Sequence, residues 1–155
     1  MLQTQTGIVK TSPTSPLSLS SLGLVTPTSK EIPLRSKIEL ALGENYSPEL
    51  LITILKQNPK LKYLYEADSG VLENYTIQEH TLFVLHQFEK YFSNSPHCGI
   101  SPTTLRLTLA LHDIGKTLAD KNGNQRDKTL EVLDTLRSEL PFSERDWKLC
   151  RTLIE

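Results

Sequence analysis

The feature that most constrains the fold is a series of helix-start signals, each followed by apolar residues at helical spacing. Ser47-Pro48-Glu49 combines an N-cap, a proline at the first helical position and an acidic first turn. Thr76 and Glu79 are spaced as in a capping box. Ser101-Pro102 and Ser143-Glu144 open two further periodic segments. No strand pattern of comparable strength occurs, so the sequence predicts an all-α domain, a bundle of five to seven helices.

The predicted helical segments lie between these signals and the breaks that end them. They are residues 47–58, closed by Pro59, then 60–67, 76–92, 101–113, 127–136, and a last segment that begins at 143. In the third segment, one side of the helix is predicted to be apolar and to face the core: Leu82, Leu85, Phe88, Tyr91 and Phe92. The last segment is still periodic at Glu155, so we expect the chain to be a piece of something longer.

The amino-terminal part of the chain has a different composition. Residues 11–30 contain six Ser, four Thr and three Pro, and their only charged residue is Lys30. Such a stretch buries too little apolar area to offset the loss of chain entropy. We therefore expect residues 1–34 to be a disordered leader and residues 35–155 to be the helical domain.

Charge and cysteine content exclude several classes of protein. The 17 basic residues are balanced by 18 acidic ones, which argues against a protein that coats nucleic acid or an anionic membrane. Two cysteines, Cys98 and Cys150, are too few for a disulfide-rich secreted domain and are predicted to be free thiols. No apolar run approaches the roughly 20 residues of a membrane span, and the amino terminus lacks a signal-peptide pattern. A soluble, cytoplasmic protein is the resulting expectation.

The residues that stand out chemically are His112 and Asp113, which end an apolar segment just before Gly115. Adjacent residues on a helix point about 100° apart, so both reach one ion only where the helix ends or is distorted, and Gly115 supplies such a break. Imidazole and carboxylate form a mixed nitrogen and oxygen donor set suited to Mn²⁺, Fe²⁺, Co²⁺, Ni²⁺ or Zn²⁺. His86 and His97 lack companions and are expected not to be ligands.

Two motifs together resemble the HD domain, an all-helical superfamily of metal-dependent phosphohydrolases. The stretch from Tyr75 to Leu82, which contains His80, is similar to the first-histidine region of HD domains in uridylyl-removing and CCA-adding nucleotidyltransferases. The string His112-Asp113-Ile114-Gly115-Lys116 is similar to the central motif of those proteins and of HD-GYP phosphodiesterases. The two histidines are 32 residues apart, and the resemblance covers roughly residues 70–155.

The resemblance implies a metal-dependent phosphohydrolase acting on a small phosphorylated substrate, a nucleotide or a phosphodiester. His80, His112 and Asp113 would be the ligands of a divalent metal ion, Mg²⁺ being a further option. The metal would lower the pKa of a water molecule and polarise a phosphoryl oxygen. Asp113 and Lys116 would be the catalytic residues, and Lys116 with Arg126 would bind the phosphate.

The sequence departs from the family pattern at the fourth ligand. The family places an Asp on a later helix, whereas the chain ends 42 residues after Asp113. The later aspartates are Asp120, Asp127, Asp134 and Asp146. None is predicted to supply the closing ligand, which we expect to lie beyond Glu155.

Two other departures concern the chemistry. Residues 124–129 contain no histidine, which favours a single metal over the two-metal type. Lys116 stands where some mononucleotide-cleaving HD enzymes have a glutamate that transfers a proton. Proton transfer of that type is therefore not expected, and Lys116 is predicted to bind a phosphate oxygen instead. Carboxylates that orient the histidine ligands are predicted at Glu79 and Asp120.

Two other functions stay open at this point. The missing fourth ligand favours a non-catalytic HD-like module that senses a nucleotide or binds a protein partner. A helical adaptor with an accidental His-Asp pair would instead place the histidines far apart in the folded chain.

Overall fold

The computed structural model describes residues 31–70, 75–95, 99–119 and 123–155. These residues form seven α-helices and a short 3₁₀ turn, and the prediction of an all-α fold is confirmed. The helices are α1 (Leu34–Ala41), α2 (Pro48–Leu55), α3 (Pro59–Tyr65), α4 (Ile77–Tyr91), α5 (Pro102–Leu111), α6 (Gln125–Leu136) and α7 (Glu144–Ile154). The 3₁₀ turn, Lys116–Leu118, lies between α5 and α6.

The predicted leader lies almost wholly outside the described residues, and its disorder stays a prediction. Residues 31–33 are described and have no regular structure. Helix α1 then begins at Leu34, one residue before the predicted start of the helical domain. The residues Glu31–Glu155 form one compact unit.

The predicted helix starts at Ser47, Thr76, Ser101 and Ser143 are confirmed. Each side-chain hydroxyl accepts a hydrogen bond from a backbone N–H in the first turn of its helix, at 3.1–3.2 Å. The capping box at Thr76 is complete, because the Glu79 carboxylate accepts a hydrogen bond from the Thr76 N–H at 2.8 Å. Caps of this kind each stabilise a helix by about 1 kcal/mol and require only local sequence, which is why they could be predicted.

Pro59 has the opposite role to the predicted one. Helix α2 ends at Leu55, and Pro59 opens α3 at a position where its missing N–H costs nothing. The Asn58 side chain caps α3 by accepting hydrogen bonds from the N–H groups of Lys60 and Leu61, at 2.9 and 3.3 Å.

Two aromatic residues predicted to face the core from α4 are instead exposed. Leu85 and Phe88 are buried, but Tyr91 and Phe92 are each 57% exposed. At about 100° per residue, Tyr91 lies roughly 120° around the helix from Leu85 and so leaves the buried face. Phe92 is the C-cap of α4 and has a non-helical φ of −126°, so its side chain no longer follows the helical pattern.

Helix α4 occupies a central position, packing against α2, α3 and α5, while α7 packs against α5 and α6. Apolar side chains without any solvent exposure come from every helix, and they include Ile38, Leu51, Leu55, Leu61, Tyr65, Ile77, Leu85, Leu111, Leu133 and Cys150. Because α4 and α5 pack side by side, the first turns of α4 and the end of α5 lie close together.

The structure bears on two expectations drawn from composition. Cys150 is a buried free thiol, and burial raises its pKa, whereas Cys98 lies outside the described residues. None of the helices in the described part of the chain is long and apolar enough to cross a membrane.

Candidate metal centre

The end of α5 is held by partners from other elements. Its last carbonyl groups lack helical partners and need other donors. The His112 Nδ1–H donates to the Leu109 carbonyl at 2.6 Å, and the Tyr65 hydroxyl of α3 donates to the Ala110 carbonyl at 2.6 Å. The Thr129 hydroxyl of α6 donates to the His112 carbonyl at 3.3 Å. The position of His112 is therefore set by three separate helices.

Removal of the buried Tyr65 hydroxyl tests this arrangement. We expect Tyr65→Phe to lower the free energy of unfolding by about 1–3 kcal/mol, because it leaves the buried Ala110 carbonyl without a donor. Denaturant unfolding followed by circular dichroism measures the change. Tyr63→Phe, on the same helix at a side chain 71% exposed, is the matched control and should stay within about 0.5 kcal/mol of wild type. Equal effects of the two substitutions would contradict a stabilising hydrogen bond from the Tyr65 hydroxyl to the Ala110 carbonyl.

The turn after α5 brings the chain unusually close to α6. The Gly115 N–H donates to the buried Thr129 hydroxyl at 3.1 Å. A Cβ atom on Gly115 would lie only 2.1 Å from the Thr129 nitrogen and 2.4 Å from the Lys128 carbonyl carbon. The φ of Gly115 is −87°, which other residues also adopt. Glycine is needed at this position for close approach of two backbones, and not only for the helix break that the sequence suggests.

The structure brings the three predicted ligands together. The Nε2 atom of His80 lies 3.3 Å from Oδ2 of Asp113, and the Nε2 atom of His112 lies 3.5 Å from Oδ1. One ligand atom from each residue lies within 4.8 Å of the others. Asp113 is buried, whereas each imidazole keeps about a quarter of its side-chain surface exposed. The group, called the His-Asp-His cluster below, is therefore accessible from one side.

The donors of this cluster fit a divalent cation. Tetrahedral sites with bonds of about 2.0–2.1 Å place neighbouring ligand atoms roughly 3.4 Å apart, close to the 3.3 Å between His80 Nε2 and Asp113 Oδ2. The spread of up to 4.8 Å among the three ligand atoms is wider than in such a site. Because the Leu109 carbonyl takes the Nδ1–H of His112, the neutral imidazole carries its lone pair on Nε2, which faces Asp113. Two electron-rich atoms at this separation repel each other unless a proton or cation lies between them. The cluster can hold a metal ion.

Lys116 lies beside Asp113, whereas Arg126 lines the adjoining cavity. Lys116 Nζ is 3.9 Å from Asp113 Oδ2, and about a quarter of its side chain is exposed. Arg126 lines a cavity of about 410 Å³ together with His112 and Asp113. The guanidinium of Arg126 is turned to the Glu155 carbonyl at 3.2 Å. The other walls of the cavity are the first turn of α6 and the side chains of residues 153 and 154.

A residue that sequence reasoning missed completes the contacts of Asp113. The Gln125 Nε2–H donates to Asp113 Oδ1 at 2.6 Å. Gln125 is the first residue of α6, two positions before the predicted helix start, because Asn124 caps the helix. No local pattern distinguishes this glutamine from a solvated one, since its partner lies 12 residues earlier.

Glu79 and Asp120 are the carboxylates predicted to orient the histidines. The structure describes only Glu79, which makes other contacts. Glu79 closes the capping box of α4, and hydrogen bonds from the Thr76 N–H and hydroxyl hold its pKa below the usual range. Asp120 lies outside the described residues. The imidazole of His112 is oriented by a backbone carbonyl instead.

The remaining histidines and aspartates lie elsewhere. His86 pairs with Glu49 at 2.7 Å, away from the cluster, and His97 is outside the described residues. The later aspartates of the described ranges have other partners: Asp127 contacts Arg126, Asp134 contacts Arg151 and Asp146 contacts Ser143. Within those ranges, the cluster has three donor residues and no second carboxylate.

Comparison of the chain with models of protein families, with curated protein sequences and with solved structures gave no significant match. The function is therefore argued from the cluster and its surroundings.

Proposed function

We propose that the chain binds one divalent transition metal through His80, His112 and Asp113 and hydrolyses a nucleotide or a phosphodiester. The observation that carries the proposal is the convergence of two imidazoles and a buried carboxylate, of which His112 and Asp113 also line a cavity. Catalytic metal sites commonly have three protein ligands and keep a position for water or substrate. A bound metal would supply Lewis-acid chemistry and lower the pKa of a water molecule.

The surroundings of the cluster favour an anionic substrate. Lys116 and Arg126 bring two positive charges near Asp113 and the cavity. The first turn of α6 lines the same cavity, and a helix N-terminus favours phosphate through its free N–H groups and its dipole. An uncharged or cationic substrate would gain nothing from these groups.

The residues at the site have three roles: metal binding, stabilisation of negative charge and substrate binding. His80, His112 and Asp113 hold the metal, and Asp113 also keeps the Lys116 ammonium within 3.9 Å. Lys116 stabilises negative charge that develops on the phosphoryl oxygens, a contribution that grows in the transition state. Arg126 binds the non-transferred part of the substrate at the outer wall of the cavity.

Turnover of activated phosphate esters tests the proposal. Protein loaded in turn with Mn²⁺, Co²⁺, Ni²⁺ or Zn²⁺ should hydrolyse 4-nitrophenyl phosphate or bis(4-nitrophenyl) phosphate. We expect Lys116→Met to lower kcat by about 10²–10³-fold while leaving the ligands in place, because it removes one charge-stabilising donor. Lys60→Met, at a lysine that donates to Thr135 on the surface, is the control and should keep the wild-type rate.

A second candidate is a metal-dependent HD-like module that binds a phosphorylated ligand or a protein partner without turnover. It is favoured by the small donor set of the described residues and by the Gln125 amide, which already occupies one oxygen of Asp113. Metal binding and nucleotide binding without hydrolysis of any phosphate ester would support this candidate over the hydrolase.

A further inference from the structure

Gln125 makes a short side-chain hydrogen bond to the His-Asp-His cluster from a different helix, α6. Its side-chain N–H lies 2.6 Å from Asp113 Oδ1, and the side chain is half-buried. The residue is fixed at its other end because it begins α6, whose cap Asn124 accepts a hydrogen bond from the Asp127 N–H. The amide is therefore held by a helix and not by a loop.

The contact makes the two oxygens of Asp113 different. Oδ1 accepts the Gln125 hydrogen bond and lies 3.5 Å from His112 Nε2. Oδ2 lies 3.3 Å from His80 Nε2 and 3.9 Å from Lys116 Nζ, the latter beyond hydrogen-bonding distance. Oδ2 thus keeps its lone pairs available for a cation.

We infer that Gln125 is a positioning residue for the metal: it holds Asp113 in one rotamer and makes it a one-oxygen ligand through Oδ2. This inference rests on the proposed metal binding. Partners that orient a ligand carboxylate in this way typically change metal affinity by about 10–100-fold when removed. The same residue connects the cluster to α6, whose first turn lines the cavity.

The test is metal binding by the complete chain, measured by calorimetric titration with Zn²⁺ and by the visible spectrum of bound Co²⁺. Gln125→Met keeps the length of the side chain and removes the donor. We expect it to bind Zn²⁺ about 10–100-fold more weakly than wild type. We also expect its Co²⁺ band to lose intensity, because a carboxylate freed from Gln125 can bind through both oxygens and raise the coordination number.

Gln78→Met is the matched control, since Gln78 lies in the first turn of α4 and accepts a hydrogen bond from Lys56 instead of contacting the cluster. It should leave both readouts unchanged. Wild-type affinity and spectrum in Gln125→Met would overturn the inference. Failure of the wild-type protein to bind either metal would instead overturn the proposed function, so the two failures are distinguishable. A purely structural role of Gln125 would lower the free energy of unfolding without changing the Co²⁺ spectrum of the folded protein.

Discussion

Replacement of His112 by alanine is expected to weaken metal binding by roughly 100-fold or more. Structural zinc sites with four ligands have binding free energies of roughly 10–16 kcal/mol, so the loss of one ligand costs about 3 kcal/mol. The imidazole is not easily replaced by another side chain, because the described part of the chain brings no fourth His, Cys, Asp or Glu into the cluster. Calorimetric titration with Zn²⁺ and elemental analysis of the purified protein measure the effect.

His86→Ala is the matched control for this experiment. His86 is a histidine on α4 that pairs with Glu49 instead of the cluster, and more than half of its side-chain surface is exposed. The control should keep the wild-type affinity within about two-fold. Unchanged metal content in His112→Ala would reject the His-Asp-His cluster as the metal site, and with it the hydrolase proposal.

Replacement of Gly115 by alanine is expected to destabilise the fold by about 3 kcal/mol or more, at the upper end of overpacking effects. The added Cβ would lie 2.1–2.6 Å from three backbone atoms of Lys128 and Thr129. Because these atoms belong to the backbone of α6, no rotation of a side chain relieves the clash. The turn and α6 have to separate, and the hydrogen bond from Gly115 to Thr129 is lost with them.

Thermal and denaturant unfolding of Gly115→Ala measure this cost, and Gly70→Ala separates it from backbone strain. Gly70 has a φ of +70°, but a Cβ there would meet no atom within 4 Å. Its substitution should therefore cost only the roughly 1–2 kcal/mol of a left-handed conformation. A smaller loss of stability in Gly115→Ala than in Gly70→Ala would contradict the close approach of the two backbones.

Much of the helical fold could be predicted because its signals are local. The capping box of Thr76 and Glu79 involves residues three positions apart, and its geometry is visible in the sequence itself. The sequence predicts that Pro59 ends a helix, whereas Pro59 begins α3. Both roles are common for proline, so the residue alone does not distinguish them. The apolar pattern wrongly predicts that Tyr91 and Phe92 face the core, because Tyr91 lies roughly 120° around the helix from Leu85 and Phe92 follows the end of α4.

The sequence predicts the three donors of the candidate site, together with Lys116 beside Asp113 and Arg126 at the cavity. His80, His112 and Asp113 were identified by a motif resemblance, and the structure brings them together. The residues that hold them in place were not identified. Tyr65, Gln125 and Thr129 act through hydrogen bonds to residues 45, 12 and 14–17 positions away, and such contacts depend on how the helices pack.

Because of these long-range contacts, the His-Asp-His cluster forms only when several helices have packed together. His80 belongs to α4 and His112 follows α5, while the groups that fix the end of α5 come from α3 and α6. Four helices must pack together for the three donors to converge, so the cluster can hold a metal ion only in the assembled chain. An ion that binds the folded chain and not the unfolded chain shifts the unfolding equilibrium toward the folded state. At 100 times its Kd, such an ion would raise the free energy of unfolding by about 2.7 kcal/mol.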